Sequence, residues 1–281
     1  MRAFVLVASL ASGTLNASPY RLHTFTFVEH GHTIEAPGGS RAPRQVRTVV
    51  RFPTASGPHP LIVFAHGFGL TPGTYAALLN AWTQAGYVVA APIFPLTNTH
   101  APDGPNESDL INQPRDVSFV ISKLVSLSSR DHGVLAGKIQ AARIAVAGQS
   151  DGGVTALAVA YDSRFRDHRI RAAIIMSGAR LGGMGPFPRR GPPLLAIQGT
   201  ADTTNAPART AAYFSLAPKP KYLLWLIGAA HLPPYTSEQP QLSVVEQTTL
   251  AFLGHYFLHR PLAAFVAAAR RPGLTRLVSQ P

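Results

Sequence analysis

The sequence predicts an α/β fold in which a mostly parallel central sheet is flanked by helices. Continuous apolar runs such as Leu61–Ala65 and Ile144–Ala147 are typical of strands that are buried on both faces. These runs alternate along the chain with segments of helical periodicity, and such alternation implies right-handed crossovers between parallel strands. Neither an internal repeat nor a linker divides the 281 residues, so a single domain is expected.

In the first half of the chain, two strands of alternating polarity come before the buried runs. A loop rich in Pro, Gly and Arg, residues 36–43, separates them. The predicted elements are, in order, strands at Tyr20–Phe27, Gln45–Phe52 and Leu61–Ala65, a helix at Pro72–Ala85, a strand at Tyr87–Ile93, a long loop at 94–113 and a helix at Asp116–Leu127.

The second half repeats the alternation of strand and helix. After the run at Ile144–Ala147, it contains strands at Arg171–Met176, Leu194–Ile197 and Tyr222–Ile227, a helix at Thr248–Leu258 and a helix or tail from Arg260 onward. The connection 177–193 is short and rich in Gly and Pro, and it lacks helical periodicity. No cap or lid domain is therefore predicted, and any site beneath this connection should be open to solvent.

The chain ends and the composition limit what the protein can do. Residues 1–18 are predicted to be either a signal peptide or a flexible tail. The signal-peptide interpretation favours export or the cell envelope over the cytoplasm. The predicted domain spans 19–262, and 263–281 form the C-terminal helix or tail. The formal net charge is +12, but the arginines are scattered and no nucleic-acid surface is expected. No run approaches the roughly 20 apolar residues of a membrane span. The chain has 0 cysteines, which excludes disulfides and thiolate metal sites.

The turn Gly148-Gln149-Ser150-Asp151-Gly152 follows a buried strand and precedes an alanine-rich helix. This strand–turn–helix arrangement is the nucleophile elbow of an α/β-hydrolase fold. A sharp turn at the sheet edge exposes the serine hydroxyl to a base and to substrate, and the glycines let strand and helix approach closely. Ser150 is therefore the predicted nucleophile, and an ordinary turn with an incidental serine is the alternative.

A serine nucleophile needs a general base and an acid that orients this base. In this fold both residues follow the serine along the chain, first the acid and then the base. Asp202 is the only carboxylate between Asp167 and Glu238 and comes directly after a predicted strand, so it is the predicted acid; a helix cap is its alternative role. His231 follows the last strand and is the predicted base. His255 and His259 share a helix face, but no third ligand is evident and no metal site is predicted.

The tetrahedral intermediate needs preorganised N–H donors for its oxyanion. The backbone amides of Asp151 and Phe68 are the predicted donors, with the amide of Gly67 as a weaker alternative to that of Phe68. Loop side chains at the same sheet edge could contact substrate. These predicted substrate-binding residues are Phe68, Phe94, Leu181, Met184, Leu232 and Tyr235.

Four motifs together resemble the α/β-hydrolase superfamily over residues 20–260: His66-Gly67-Phe68-Gly69, Gly148 to Gly153, Gly199 to Asp202 and Gly228 to His231. The lidless layout and the glycine pair after the serine are similar to the branch of dienelactone hydrolases, platelet-activating-factor acetylhydrolases, chlorophyllases and cutinase-like polyester hydrolases. The resemblance implies the same nucleophile, acid, base and oxyanion amides. Ser150 stands where dienelactone hydrolases have cysteine, and the disulfide typical of secreted cutinases cannot form.

The sequence thus predicts a serine carboxylic-ester hydrolase of carboxylesterase, lipase or cutinase-like type that acts through an acyl-enzyme. The open site suits short- or medium-chain esters, with polyesters as a further alternative. An acyltransferase that uses the same acyl-enzyme, and a non-catalytic ligand-binding protein, remain alternatives. The expected partner is a small-molecule or polymeric ester; no cofactor is expected, and the oligomeric state is left open.

Overall fold

The computed structural model describes residues 19–35 and 41–281. The predicted signal peptide or tail and part of the predicted loop 36–43 lie outside these residues. Within them, none of the helices is both long and apolar enough to cross a bilayer.

One mixed sheet of nine strands forms the centre of the described chain, in the order β1-β2-β4-β3-β5-β6-β7-β8-β9. The strands are β1 Tyr20–Glu35, β2 Arg41–Pro53, β3 His59–Ala65, β4 Val88–Ile93, β5 Ile139–Gln149, β6 Ile170–Met176, β7 Leu194–Gly199, β8 Lys221–Leu226 and β9 Thr275–Gln280. The strands from β4 to β8 in this order run parallel, while β1, β2 and β9 pair antiparallel with their neighbours.

The helices are α1 Ala76–Gln84, α2 Gln113–Ser128, α3 Asp151–Tyr161, α4 Pro207–Leu216, α5 Gln241–Leu258 and α6 Leu262–Ala269. They cover both faces because successive side chains of a buried strand point to opposite sides. In β3, Leu61 and Val63 pack with α2, α3 and α4, while Ile62 and Phe64 pack with α1, α5 and α6. The sheet is therefore enclosed between two apolar layers.

The C-terminal region, predicted as a helix or tail, begins with a helix, α6, but ends in a strand that was not predicted. This strand, β9, pairs antiparallel with β8. The strand is only six residues long, and Leu277 and Val278 are its only large apolar residues. The pattern was too short to indicate a strand, since β9 is stabilised by pairing with a distant part of the chain. The loop prediction also extended too far, because residues 41–43 belong to β2.

The parallel strands bring four connections to one edge of the sheet. Phe68 follows β3, Ser150 follows β5, Asp202 follows β7 and His231 follows β8. Ligands of open α/β sheets bind at this edge, beyond the carboxyl ends of the strands. Between β6 and β7, residues 177–193 contain no helix, as the predicted absence of a lid requires.

Candidate active site

Ser150 lies at the tip of a sharp turn between β5 and α3. Its backbone has φ 56° and ψ −123°, a conformation that is costly for any residue with a side chain. The turn fits because its glycines contact backbone directly. A Cβ on Gly148 would lie 2.0 Å from the carbonyl oxygen of Gly152, and a Cβ on Gly152 would lie 2.0 Å from that of Ala65. The glycine spacing noted in the sequence is thus a packing requirement of this turn.

The side chains of Ser150, His231 and Asp202 form one continuous hydrogen-bonded line. Ser150 Oγ lies 2.9 Å from His231 Nε2, and His231 Nδ1 lies 2.8 Å from Asp202 Oδ2. With Nδ1 as the protonated nitrogen, the imidazole donates to the carboxylate and accepts the serine hydroxyl at Nε2. The structure therefore brings together the three residues that the sequence singled out as nucleophile, base and acid.

Asp202 accepts hydrogen bonds from four groups. Besides His231, Gln198 Nε2 donates to Oδ2 (2.9 Å), and the backbone N–H groups of Thr204 and Asn205 donate to Oδ1 (3.0 and 2.8 Å). Burial acts to raise the pKa of Asp202, but these hydrogen bonds outweigh it and hold the pKa below its usual range. The carboxylate is therefore ionised at neutral pH, and it also orders the turn before α4. It does not cap that helix, because the N-cap residue of α4 is Ala206.

The backbone of His231 is held by a hydrogen bond from Gln149, a residue that sequence reasoning did not single out. Gln149 Nε2 donates to the carbonyl oxygen of His231 (3.0 Å), and Gln149 Oε1 accepts from the hydroxyl of Tyr75 (2.7 Å). Tyr75 in turn accepts from the N–H of Gly67 (3.2 Å). Gln149 was visible within the elbow motif, but the contribution of Tyr75 from the loop before α1 could be found only from the fold.

The predicted oxyanion donors belong to two residues near the serine: Asp151 directly follows it, and Phe68 follows Gly67, on which a Cβ would lie 3.3 Å from Ser150 Cβ. Among the hydrogen bonds of the described residues, the N–H groups of Phe68 and Asp151 have no acceptor. The N–H of Gly67 already donates to Tyr75, so it is less suited to this role. His66, in the same turn, is fully buried; its Nδ1 donates to the carbonyl of Gly67 and its Nε2 accepts from the N–H of Phe94. Burial lowers the pKa of His66 to about 4, so it is neutral.

Asp151 carries a carboxylate beside the nucleophile. Its Oδ2 is buried and has no hydrogen-bond partner among the described residues. Burial raises the pKa of Asp151 to about 6; the charge of Glu107 raises it further, and that of His231 lowers it. The site therefore contains one carboxylate with a full set of donors, Asp202, and one that lacks them.

The six predicted substrate-binding residues divide by exposure. Phe68 is 40% exposed and Leu232 is half-buried, so both offer surface to a ligand. Leu181 and Met184 are 6% and 7% exposed and pack mainly into apolar clusters.

Two of the six predictions are corrected by the structure. Phe94 and Tyr235 are 0% exposed, so neither offers surface to a substrate. Phe94 packs against the ring of His66, and the hydroxyl of Tyr235 bonds to Ser177 Oγ (2.9 Å). Both side chains therefore pack in the interior, Phe94 directly after β4 and Tyr235 at the end of the short helical turn Pro233–Tyr235.

Comparisons with known proteins identify the family and the fold. A family model for chlorophyllase matches residues 26–209, about two thirds of the chain. Ser150 and Asp202 lie inside that range, and His231 lies beyond it. No curated protein sequence matches the chain.

Among solved structures, a ferulic acid esterase from Streptomyces cinnamoneus superposes with a TM-score of 0.69 and 18% identity, over 93% of this chain and 96% of that one. At this identity the likeness concerns the fold, and it confirms the α/β-hydrolase architecture predicted from the sequence. With the family match, the predicted superfamily is confirmed as well. The chain thus belongs to the chlorophyllase family of α/β-hydrolases, and it is a hydrolase of ester bonds.

Proposed function

We propose that the protein hydrolyses carboxylic esters through an acyl-enzyme on Ser150, with His231 as general base and Asp202 as the acid that orients it. The observation that carries this proposal is the unbroken line of hydrogen bonds from Asp202 through His231 to Ser150, at 2.8 and 2.9 Å. These distances lie within the reach that nucleophile and base need.

In the first half-reaction, His231 Nε2 takes the proton of Ser150 Oγ as this oxygen attacks the ester carbonyl. The imidazolium that forms is stabilised by the ionised carboxylate of Asp202, which accepts its Nδ1–H. The tetrahedral intermediate collapses when the bond to the alcohol oxygen breaks and Nε2–H returns the proton to that oxygen. The alcohol leaves, and an ester on Ser150 remains.

In the second half-reaction, a water molecule occupies the place of the alcohol. His231 Nε2 takes one of its protons, and the resulting hydroxide attacks the acyl carbonyl. Collapse of this intermediate returns the proton to Ser150 Oγ and releases the carboxylic acid. In both steps, the free N–H groups of Phe68 and Asp151 would donate to the oxyanion.

The substrate class follows from the surface around Ser150. The segment 177–193 contains no helix that could cover the site, and Phe68, in the loop after β3, offers an exposed ring. We propose esters with a short or medium acyl chain, whose apolar part would pack against Phe68 and Leu232. An uncovered site also admits bulky esters, so polyesters and chlorophyll, the ester in the family's name, belong in the substrate screen.

The test compares the wild type, Ser150→Ala and Ser163→Ala on p-nitrophenyl acetate and butyrate. Ser150→Ala should lower kcat on the order of 10⁵-fold because it removes the nucleophile, and it should abolish labelling by a fluorophosphonate. Ser163, which is exposed and distant from the turn, is the matched control and should leave both readouts unchanged. Retained turnover in folded Ser150→Ala protein would contradict the proposal. Product ratios with an added alcohol distinguish hydrolysis from acyl transfer.

A further inference from the structure

A buried group of charges joins β2 to α2, away from Ser150. Arg44 Nε and Nη2 donate to the two oxygens of Asp116, both at 2.6 Å. Arg44 Nη1 and Nη2 also donate to the two oxygens of Asp109, at 2.8 and 2.6 Å. The three side chains are at most 3% exposed, so two carboxylates share one guanidinium in a dry environment. This ion-pair group has a net charge of −1.

Glu29 and His32 on β1 extend the group. Residues three apart on a regular strand point to opposite faces of the sheet. Here the pairing register of β1 shifts between Glu29 and Thr33, and this irregularity turns both side chains toward Asp116. One oxygen of Glu29, one of Asp116 and a ring nitrogen of His32 all lie within 4.8 Å of one another.

Two atoms of this extended group lack hydrogen-bond partners among the residues that the structure describes. Glu29 Oε2 and His32 Nδ1 are buried and unpaired, although their side chains are 26% and 21% exposed overall. The two atoms are 3.6 Å apart, which is too far for a hydrogen bond. Ligands at about 2.0–2.1 Å from a tetrahedral zinc ion lie roughly 3.3 Å from each other, so this spacing is close to that of two ligands on one metal.

We infer that Glu29, His32 and Asp116 form a binding site for a divalent transition-metal ion of the Zn²⁺ type, which links β1 to α2. With His32 neutral, the three carboxylates and Arg44 have a net charge of −2, which the ion neutralises. Each oxygen of Asp116 keeps a lone pair beyond the one that Arg44 uses. An imidazole with two carboxylates is a donor set that suits zinc better than Mg²⁺.

The surroundings of the group leave a path for an ion. Glu29 borders a surface cavity of about 390 Å³, which gives an ion a route from solvent. Three arginines, Arg115, Arg164 and Arg166, border the same cavity. They oppose the entry of a cation, so we expect binding of moderate affinity.

The experiment measures the Tm of the full chain after treatment with a chelator, at pH 7.5, with added Zn²⁺ or Mg²⁺. At about a hundredfold excess over Kd, Zn²⁺ should raise the Tm of the wild type by roughly 4–8 °C, and Mg²⁺ should not. His32→Gln and Glu29→Gln should each lose most of this rise. His30→Gln removes an exposed histidine of the same strand and is the matched control, which should keep it.

Each other outcome overturns the inference. An equal zinc-induced rise in His32→Gln and in the wild type places the ion elsewhere, for example on another of the 11 histidines. No rise in any variant means that the group binds no metal. The ion-free Tm of each variant shows whether the substitution itself disturbs the fold, and calorimetry should find one fewer zinc site in His32→Gln.

Discussion

Asp202 and Asp116 are both buried carboxylates, yet their pKa values move in opposite directions. Asp202 accepts from four donors and has a pKa below its usual range. Asp116 shares a single guanidinium with Asp109, and burial raises its pKa to about 6. Both side chains are almost inaccessible to solvent, but Asp116 lies deeper in the protein, so burial raises its pKa more strongly. The number of donors and the depth of burial together decide which carboxylate is ionised without further help.

This difference matches what each region is proposed to do. A carboxylate that orients a catalytic imidazole must keep its charge throughout the reaction, and neutral amide donors achieve this without a competing cation. A set of buried carboxylates that shares too few cationic partners can instead take up a proton or a cation from solvent. Three substitutions test the contrast, in order of decreasing expected effect.

Asp202→Asn removes the charge from the fully hydrogen-bonded carboxylate while it conserves shape. The Asn amide would face His231 Nδ1 and favour the wrong tautomer, so kcat on p-nitrophenyl butyrate should fall about 10⁴-fold. Asp167→Asn, a half-buried carboxylate bound to Arg169 far from Ser150, is the control and should keep full activity. A loss of less than tenfold in Asp202→Asn would mean that the carboxylate does not orient the base.

Arg44→Met removes the guanidinium that Asp109 and Asp116 share. Two buried carboxylates are then unpaired, so the free energy of unfolding should fall by about 3–5 kcal/mol at pH 8, measured in urea without metal ions. The loss should be smaller at pH 5, below the pKa of about 6 to which burial raises Asp116, because this carboxylate can then be protonated. Arg164→Met, which breaks the pair between the exposed Arg164 and Asp162, is the control and should lower the free energy of unfolding far less, because solvent screens that pair. Equal losses in the two variants would contradict the contrast.

Asp151→Asn tests the carboxylate beside the nucleophile that lacks donors. A pKa raised to about 6 in the fold, above its value in the unfolded chain, means that Asp151 destabilises the fold once it ionises. The variant should therefore be more stable than the wild type by about 1–2 kcal/mol at pH 8, after allowance for solvent screening. This gain should shrink as the pH falls through 6, where the wild type becomes protonated. The exposed control Asp131→Asn should show no such pH dependence.

The sequence revealed those features of the protein that local spacing determines. The elbow around Ser150 was evident because its glycines and the adjoining strand and helix are contiguous. Asp202 and His231 could be proposed because topology requires them to follow later strands, and few residues of the right type are available there.

Features that depend on distant pairing were not visible. Tyr75 contacts Gln149 only because β3 and β5 are neighbours in the sheet. Glu29, His32 and Asp116 come together through an irregularity in β1 that no residue pattern announces, which is why no metal site was predicted. Phe94 and Tyr235 were assigned to the substrate surface because sequence position indicates the edge of the sheet but not the direction of a side chain.

The strand order also has a consequence for engineering. The first and last strands, β1 and β9, are at opposite edges of the sheet. Eight spacings of about 4.8 Å separate them by roughly 38 Å before twist is considered. A peptide that joined Tyr20 to Gln280 would need at least about 11 extended residues merely to cross that width. Circular permutation of this protein therefore requires a long connector, and a short one would pull an edge strand away from its neighbour.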